Sequence, residues 1–355
     1  QRQMCIRDSY WPRETVPAAG LPCWPRLSIM APHACTLEAL ESMPKPTDIR
    51  PKAVELHFLP VETRVPLKFG TETLTSVTCA RVRMTVEDGN GRAGSGWGET
   101  PLSVQWVWPS ALSCEARHEA LNEFCRILAR AWAAFGEAGH PLETGNGFIE
   151  GPLRNLLADF NARRGGEPMP WLAALVCCSP FDIALHDAYG QLHGVPVYET
   201  YGADWMNADL AHFLTPARDT EVRFTGRHPR DFLVLPRPDT LPAWHLVGGK
   251  DWIGPGEDDG SAPDDGYPVL LRDWIRTDGL TCLKVKLRGN DSAWDYARLL
   301  KVGAIAVEEG VLWLTADFNC TVTNPDYVNE ILDRLLVEQP RIYGMLLYVE
   351  QPFPY

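Results

Sequence analysis

The sequence predicts an α/β chain, with an N-terminal α+β domain of antiparallel strands and helices followed by a series of parallel βα units. Three observations carry this. Three short runs near the end, Leu283-Lys284-Val285-Lys286, Leu314-Thr315-Ala316-Asp317-Phe318-Asn319 and Tyr348-Val349-Glu350-Gln351-Pro352, are apolar and finish in charged or polar groups. Amphipathic segments separate them, the pattern of parallel strands delivering functional side chains at their C-terminal ends. Earlier, strand patterns joined by a tight turn precede two helical stretches, an α+β arrangement. Between the two parts lies a long apolar helical segment, Trp171–His193.

At 355 residues the chain has room for two domains. No apolar run approaches the roughly 18–20 residues of a membrane span, so no membrane partner is expected. The formal charge of −13 argues against nucleic acid and anionic membranes. The 10 cysteines form no C-x-x-C pair and no Cys/His zinc spacing, which reads as a reduced, cytoplasmic protein. Gln1–Asp8 lacks the apolar core of a secretory signal. Residues 1–50 are rich in Pro and Cys without periodicity, and Met30 and Met43 are alternative starts, so this stretch is expected to be a disordered or non-native leader.

From Ala53 the pattern changes. Ala53–Pro60 and Val77–Val86 read as strands, the second with β-branched alternation. Between them Arg64–Gly70 reads as a basic loop punctuated by Pro66 and Gly70. Asp88-Gly89-Asn90-Gly91 is a hairpin turn, and Gly94–Glu99 the returning strand. Ser110–Phe135 and about 147–162 read as helices. In Trp171–His193, Ala174, Cys177, Cys178, Phe181, Ala184, Leu185, Ala188 and Leu192 recur at the spacing of a buried face, the two cysteines serving as small hydrophobes. Gly194 and Pro196 supply its stop. Ala208–Leu214 reads as a strand, and 215–268, with its Pro, Gly and acidic residues, as a long insertion, functional or disordered. The rhythm then becomes regular: helix Val269–Thr277, strand Thr281–Leu287, helix Ser292–Glu309, strand Val311–Asp317, helix Pro325–Val337, strand Met345–Val349. Alternation of this kind implies parallel pairing with right-handed crossovers. The domain boundaries expected are 51–170 and 171–355.

Lys284 and Lys286 lie two apart on a strand and so share a face, with Val285 on the other. Ammonium groups so close disfavour each other's charge and should lower at least one pKa, a route to a lysine base near neutral pH. An exposed edge strand also carries such pairs. Asp317 and Asn319 repeat the spacing at the next strand end, although Asp beside Asn also serves turns. Glu350 emerges from a buried strand, where a carboxylate needs a partner or a metal. Asp317 and Glu350 could face one hard cation such as Mg²⁺, or could pair with the lysines. Lysine pair, aspartate and glutamate, each one βα unit apart, are more specific together than any member alone.

On these residues the chain resembles the enolase superfamily, in its mandelate racemase and muconate-lactonising enzyme branch. Lys284-Val285-Lys286 is similar to that branch's K-x-K, Asp317-Phe318-Asn319 to its D-x-N and Glu350-Gln351-Pro352 to its E-Q-P. Ser179–Ala188, with Gly190, Gly194, Pro196, Val197 and Tyr198, is similar to the family's helix leading into the barrel. Over about 53–355 the resemblance implies a capping domain followed by a partial (β/α)7β TIM-like barrel. It implies Mg²⁺ as cofactor, a small-molecule carboxylate substrate such as a sugar acid, and abstraction of the α-proton through an ene-diolate, as in dehydratases, racemases and epimerases. Carried across, Asp317 and Glu350 are metal ligands, Lys286 is the base, and Lys284 neutralises the carboxylate and lowers the pKa of Lys286. Asn319 is a polar neighbour, and Arg64 and Lys68, on the capping loop, bind substrate. A homo-oligomer is also implied.

The family takes its third metal ligand and its opposite-face acid/base group from later strands, and the sequence reaches Tyr355 just beyond the fourth. The expectation is a C-terminally truncated chain that binds Mg²⁺ weakly and turns over little. A Schiff-base aldolase using either lysine and a non-catalytic binding or assembly protein with an incomplete site are the alternatives.

Overall fold

The computed structural model describes residues 45–69, 72–258 and 260–354, together with a two-residue strand at 14–15. The rest of the leader expected at 1–50 lies outside the described residues. The chain divides into two compact units, Gln1–Val61 with Thr78–Leu235, and Glu62–Val77 with Pro236–Tyr355.

One sheet is ordered β1-β2-β3-β4, from strands β1 (Glu14–Thr15), β2 (Ile49–Phe69), β3 (Glu72–Asp88) and β4 (Ala93–Pro101); the first unit holds all of it but the β2–β3 tip at 62–77, which belongs to the second. The β3–β4 turn forms where Asp88 Oδ1 accepts the backbone N–H groups of Asn90 and Arg92, both at 2.9 Å. A short helix α1 (Val104–Val107) leads to α2 (Cys114–Ala133), which starts where Ser113 Oγ accepts the Ala116 N–H. Helix α3 (Pro141–Phe148), a π-helical turn (Ile149–Leu153) and α4 (Arg154–Arg164) follow, an earlier start than the helix expected at about 147. His140 and Glu143 form a capping box at α3, so the helix begins there.

Helix α5 (Trp171–His193) is the core helix of this unit and ends at Gly194, whose φ of +67° needs a residue without a Cβ penalty. By length and composition α5 could cross a membrane, contrary to the sequence reading that no run approached that length. Packing accounts for the apolarity: Phe181, Ala184, Leu185 and Ala188 are fully buried, and the helix lies directly on β4. A Cβ on Gly96 would stand 2.1 Å from Ala188 N, and one on Gly98 2.1 Å from Pro180 O, so the alternating glycines permit that contact. Cys177 and Cys178 are buried as expected, and the seven cysteines among the described residues are free thiols.

The second unit holds a parallel sheet ordered β5-β6-β7-β8, from β5 (Trp244–Val247), β6 (Cys282–Lys286), β7 (Trp313–Asp317) and β8 (Leu346–Glu350). Helices α6 (Leu271–Asp278), α7 (Ser292–Glu308), α8 (Pro325–Glu338) and α9 (Pro340–Met345) connect the strands. Leu283, Val285, Leu314 and Ala316 on one sheet face, with Leu299, Val302 and Leu335 from the helices, form a separate core.

Three sequence readings are corrected. Ala208–Leu214 is not a strand: it holds only a 3-10 turn, Leu210–His212, capped by Asp209. The first parallel strand is instead β5, inside the stretch read as a 215–268 insertion. Four residues are too short to announce themselves, and pairing with β6 makes them a strand. Arg64–Phe69 is not a loop but the end of β2, since Pro66 is tolerated within a strand where its missing N–H is not needed.

Candidate active site

Strands β6, β7 and β8 run parallel in a register that sets Lys286 opposite Asp317 and Asp317 opposite Glu350. Paired residues in a parallel sheet share a face, so one row across three strand ends carries an ammonium and two carboxylates. One step deeper, Lys284 pairs with Thr315, and Thr315 with Tyr348.

The charges converge. Lys284 Nζ donates to Glu350 Oε1 at 2.6 Å and lies 3.1 Å from Asp317 Oδ2. Lys286 Nζ donates to the same Asp317 oxygen at 2.5 Å and to Asn319 Oδ1 at 2.8 Å. The Asp317 side chain is fully buried, and its other oxygen accepts the Asn319 N–H at 2.9 Å. Asn319 Nδ2 donates to Leu287 O and Asp317 O, so one amide ties the exits of β6 and β7 together. Asn319, Cys320 and Gln351 have φ of +54°, +58° and +42°, left-handed conformations that cost non-glycine residues roughly 1–3 kcal/mol and cluster at functional strand ends. Backbone bonds hold them: Cys320 N–H donates to Gln351 O at 2.7 Å.

The pKa of Lys284 is raised, so Lys284 is not the member of the pair whose pKa is lowered. Burial pulls it down, but the hydrogen bonds and charges of Glu350 and Asp317 outweigh burial and hold the ammonium above its ordinary range. Glu350 and Asp317 lie within 3.1 Å of the Lys284 ammonium, so lysine–lysine repulsion does not decide its proton affinity.

The other two candidates sit on the tip of the β2–β3 hairpin. Arg64 makes a bidentate pair with Asp265, at 2.6 and 2.7 Å, and donates to Tyr267 O and Pro268 O. Its guanidinium also lies 5.7 Å and 5.8 Å from the Tyr267 and Trp274 ring centroids. Its pKa is raised, first by the Asp265 hydrogen bond. Lys68, on β2, lies just past the end of β5: its carbonyl accepts the Gly249 N–H at 3.3 Å, and a Cβ on Gly249 would stand 3.4 Å from its Cγ. Hydrogen bonds thus join Lys284, Lys286, Asp317, Asn319 and Glu350, whereas Arg64 is engaged by the 265–268 loop.

Sequence reasoning passed over Thr315, although its two-residue spacing from Asp317 puts it on the same face. Thr315 is completely buried, and its Oγ1 has no hydrogen-bond partner among the described residues. Also unforeseen was Arg298, buried in α7, which donates to Gly248 O and Asp251 O just past β5.

Among the described residues no group of three or more His, Cys, Asp or Glu is placed to hold a metal. Asp317 and Glu350 supply two carboxylates, and the Lys284 ammonium bridging them shows that both reach one cationic position. All-oxygen anionic donors of this kind suit a hard divalent cation.

No protein-family model matches the chain, and no curated protein matches its sequence. Solved structures do. An enolase from Bradyrhizobium, complexed with magnesium and mandelic acid, aligns at TM-score 0.51 and 18% identity, over 86% of this chain and 62% of that one. The L-Ala-D/L-Glu epimerase from Bacillus subtilis aligns at 0.48 and 17%, over 86% and 62%. The L-talarate/galactarate dehydratase from Salmonella typhimurium LT2 aligns at 0.46 and 18%, over 92% and 62%. The chain shares the fold of the Bradyrhizobium enolase, an antiparallel sheet with helices and a series of parallel βα units. The chain spans about three fifths of the length of these structures.

Proposed function

We propose that this protein catalyses Mg²⁺-dependent removal of the α-proton of a carboxylic acid, through an ene-diolate, as a lyase or isomerase of the enolase superfamily. One observation carries the reading: Lys286, Asp317 and Glu350 stand in a single register row across three parallel strand ends, with Lys284 just below. The magnesium in the Bradyrhizobium complex agrees with this.

In this reading Asp317 and Glu350 would hold Mg²⁺, which when bound would supply Lewis-acid charge beside the substrate carboxylate. Lys286, positioned by Asn319, takes the α-proton on its Nζ. Lys284 gives its positive charge to the substrate carboxylate and the charge developing there. Lys68, at the end of β5, faces the acid substrate, and Arg64 holds the hairpin tip in place through Asp265. A sugar acid fits these cationic groups. We further propose a homo-oligomeric, cytoplasmic enzyme.

The test is α-proton exchange in D₂O with Mg²⁺ across a panel of carboxylic acids. Exchange is expected with Mg²⁺ and lost on chelation. Lys286→Ala is expected to lower exchange on the face it serves by about 10²–10⁴-fold, the usual contribution of a general base. Exchange retained in that variant removes Lys286 from the role, and no exchange with any acid sinks the reading.

A further inference from the structure

We infer that Thr315 is a positioning residue that accepts the Lys284 ammonium when a divalent cation occupies Asp317 and Glu350. This rests on the metal reading above. In the structure Lys284 satisfies its ammonium with Glu350 Oε1 and Asp317 Oδ2. Those are the oxygens a cation would take, and like charges would then expel the ammonium from its present place. A partly buried ammonium left without an acceptor is costly, so entry of the cation would be opposed unless another acceptor stood within reach.

Thr315 supplies one. It is the cross-strand partner of Lys284 in the β6–β7 register, on strands that run about 4.8 Å apart. Its side chain is completely buried, and its hydroxyl oxygen is unbonded among the described residues. A buried hydroxyl without a partner is itself unfavourable, and valine would fill the same volume without that cost. The hydroxyl is therefore not explained by packing alone. It is explained if Lys284 alternates between two acceptors, the carboxylates without a cation and Thr315 with one. The ammonium then stays beside the substrate carboxylate instead of swinging into solvent.

The test is Mg²⁺ affinity by titration calorimetry, with thermal unfolding in parallel, for wild type, Thr315→Val, Thr315→Ser, Lys284→Met and the double variant Lys284→Met with Thr315→Val. Without Mg²⁺, Thr315→Val should melt at or above the wild-type temperature, which keeps a folding defect apart from the effect sought. With Mg²⁺, Thr315→Val should bind about tenfold more weakly and show a smaller thermal shift, while Thr315→Ser should match wild type. On a Lys284→Met background, Thr315→Val should change Mg²⁺ affinity no further. If the wild type binds Mg²⁺ through Asp317 and Glu350 but Thr315→Val binds equally well, the inference is overturned and the metal reading stands. If the wild type fails to bind Mg²⁺, both fall.

Discussion

Lys284 illustrates how a residue's chemistry depends on what lies across the strand from it. Two lysines two residues apart should repel, and one should lose affinity for its proton, yet Glu350 and Asp317 reverse the sign at Lys284. Glu350 lies 66 residues from Lys284 along the chain and Asp317 lies one whole βα unit away, so no local pattern announces the pairing. His140 makes a similar point in the first unit. Its Nδ1 accepts the Leu142 N–H at 3.2 Å while Nε2 bonds Thr200 Oγ1 at 3.1 Å, so the neutral ring caps α3. Burial, with smaller repulsion from His186 and Lys45, pushes its pKa down to about 3. Because the folded value lies below the unfolded one, near 6.5, the stability is full above about pH 6.5 and is lost as pH falls toward about 3. Wild type should lose about 1.4 kcal/mol per pH unit more across that window than His140→Asn, which keeps a capping acceptor but does not titrate. Urea unfolding at pH 7 and pH 5 measures this, and equal slopes in the two proteins would contradict it.

At the scale of elements, the boundaries that sequence read well are those with local stop chemistry. Helix α5 runs from Trp171 to His193 as expected, because Gly194 adopts the left-handed conformation its end requires. Strands β6, β7 and β8 fall within two residues of their expected starts, because apolar runs meet charged ends there, but β8 is not the buried strand expected before Glu350: Leu347 and Tyr348 are exposed. What failed was long-range. Strand β5 has four residues and gains its identity from β6, and the β2–β3 arms extend further than their composition suggests. The β4–α5 contact belongs to this scale as well. Gly96 faces the α5 backbone at Ala184, Asp187 and Ala188, with no flexible side chain able to move aside. Gly96→Ala should cost about 3 kcal/mol, the upper end for overpacking, because backbone must shift. The exposed turn residue Gly89, where a Cβ meets nothing, should accept alanine with little change in the denaturation midpoint, and equal loss at both positions would refute the packing account.

For the whole molecule, the relevant fact is that each unit has its own core. One is centred on Leu121, Phe124, Trp132, Phe148 and Phe181, the other on Leu283, Val285, Leu299 and Leu314. Chains with separate cores depart from a single two-state transition. Scanning calorimetry should therefore resolve two transitions, or one whose van't Hoff enthalpy is well below the calorimetric value. Equal enthalpies would mean that the units unfold as one. Mg²⁺ should raise the transition of the second unit, which holds Asp317 and Glu350, through preferential binding to the folded state.

The sequence by itself determined the charged strand ends and their order, lysine pair, aspartate, glutamate, since each sits at the close of an apolar run whose period is local. It also determined α5 and the alternation of strands and helices that makes the sheet parallel. Tertiary structure alone decided that Lys286, Asp317 and Glu350 fall in one register row, that Arg64 is engaged by Asp265, and that β5 is a strand. It also decided that the Thr315 hydroxyl is sealed in beside Lys284. The physical reason is the same throughout. Periodicity and capping act over a few residues, whereas register, ion pairing and burial are set by partners tens to hundreds of residues away, brought together only when the sheet assembles.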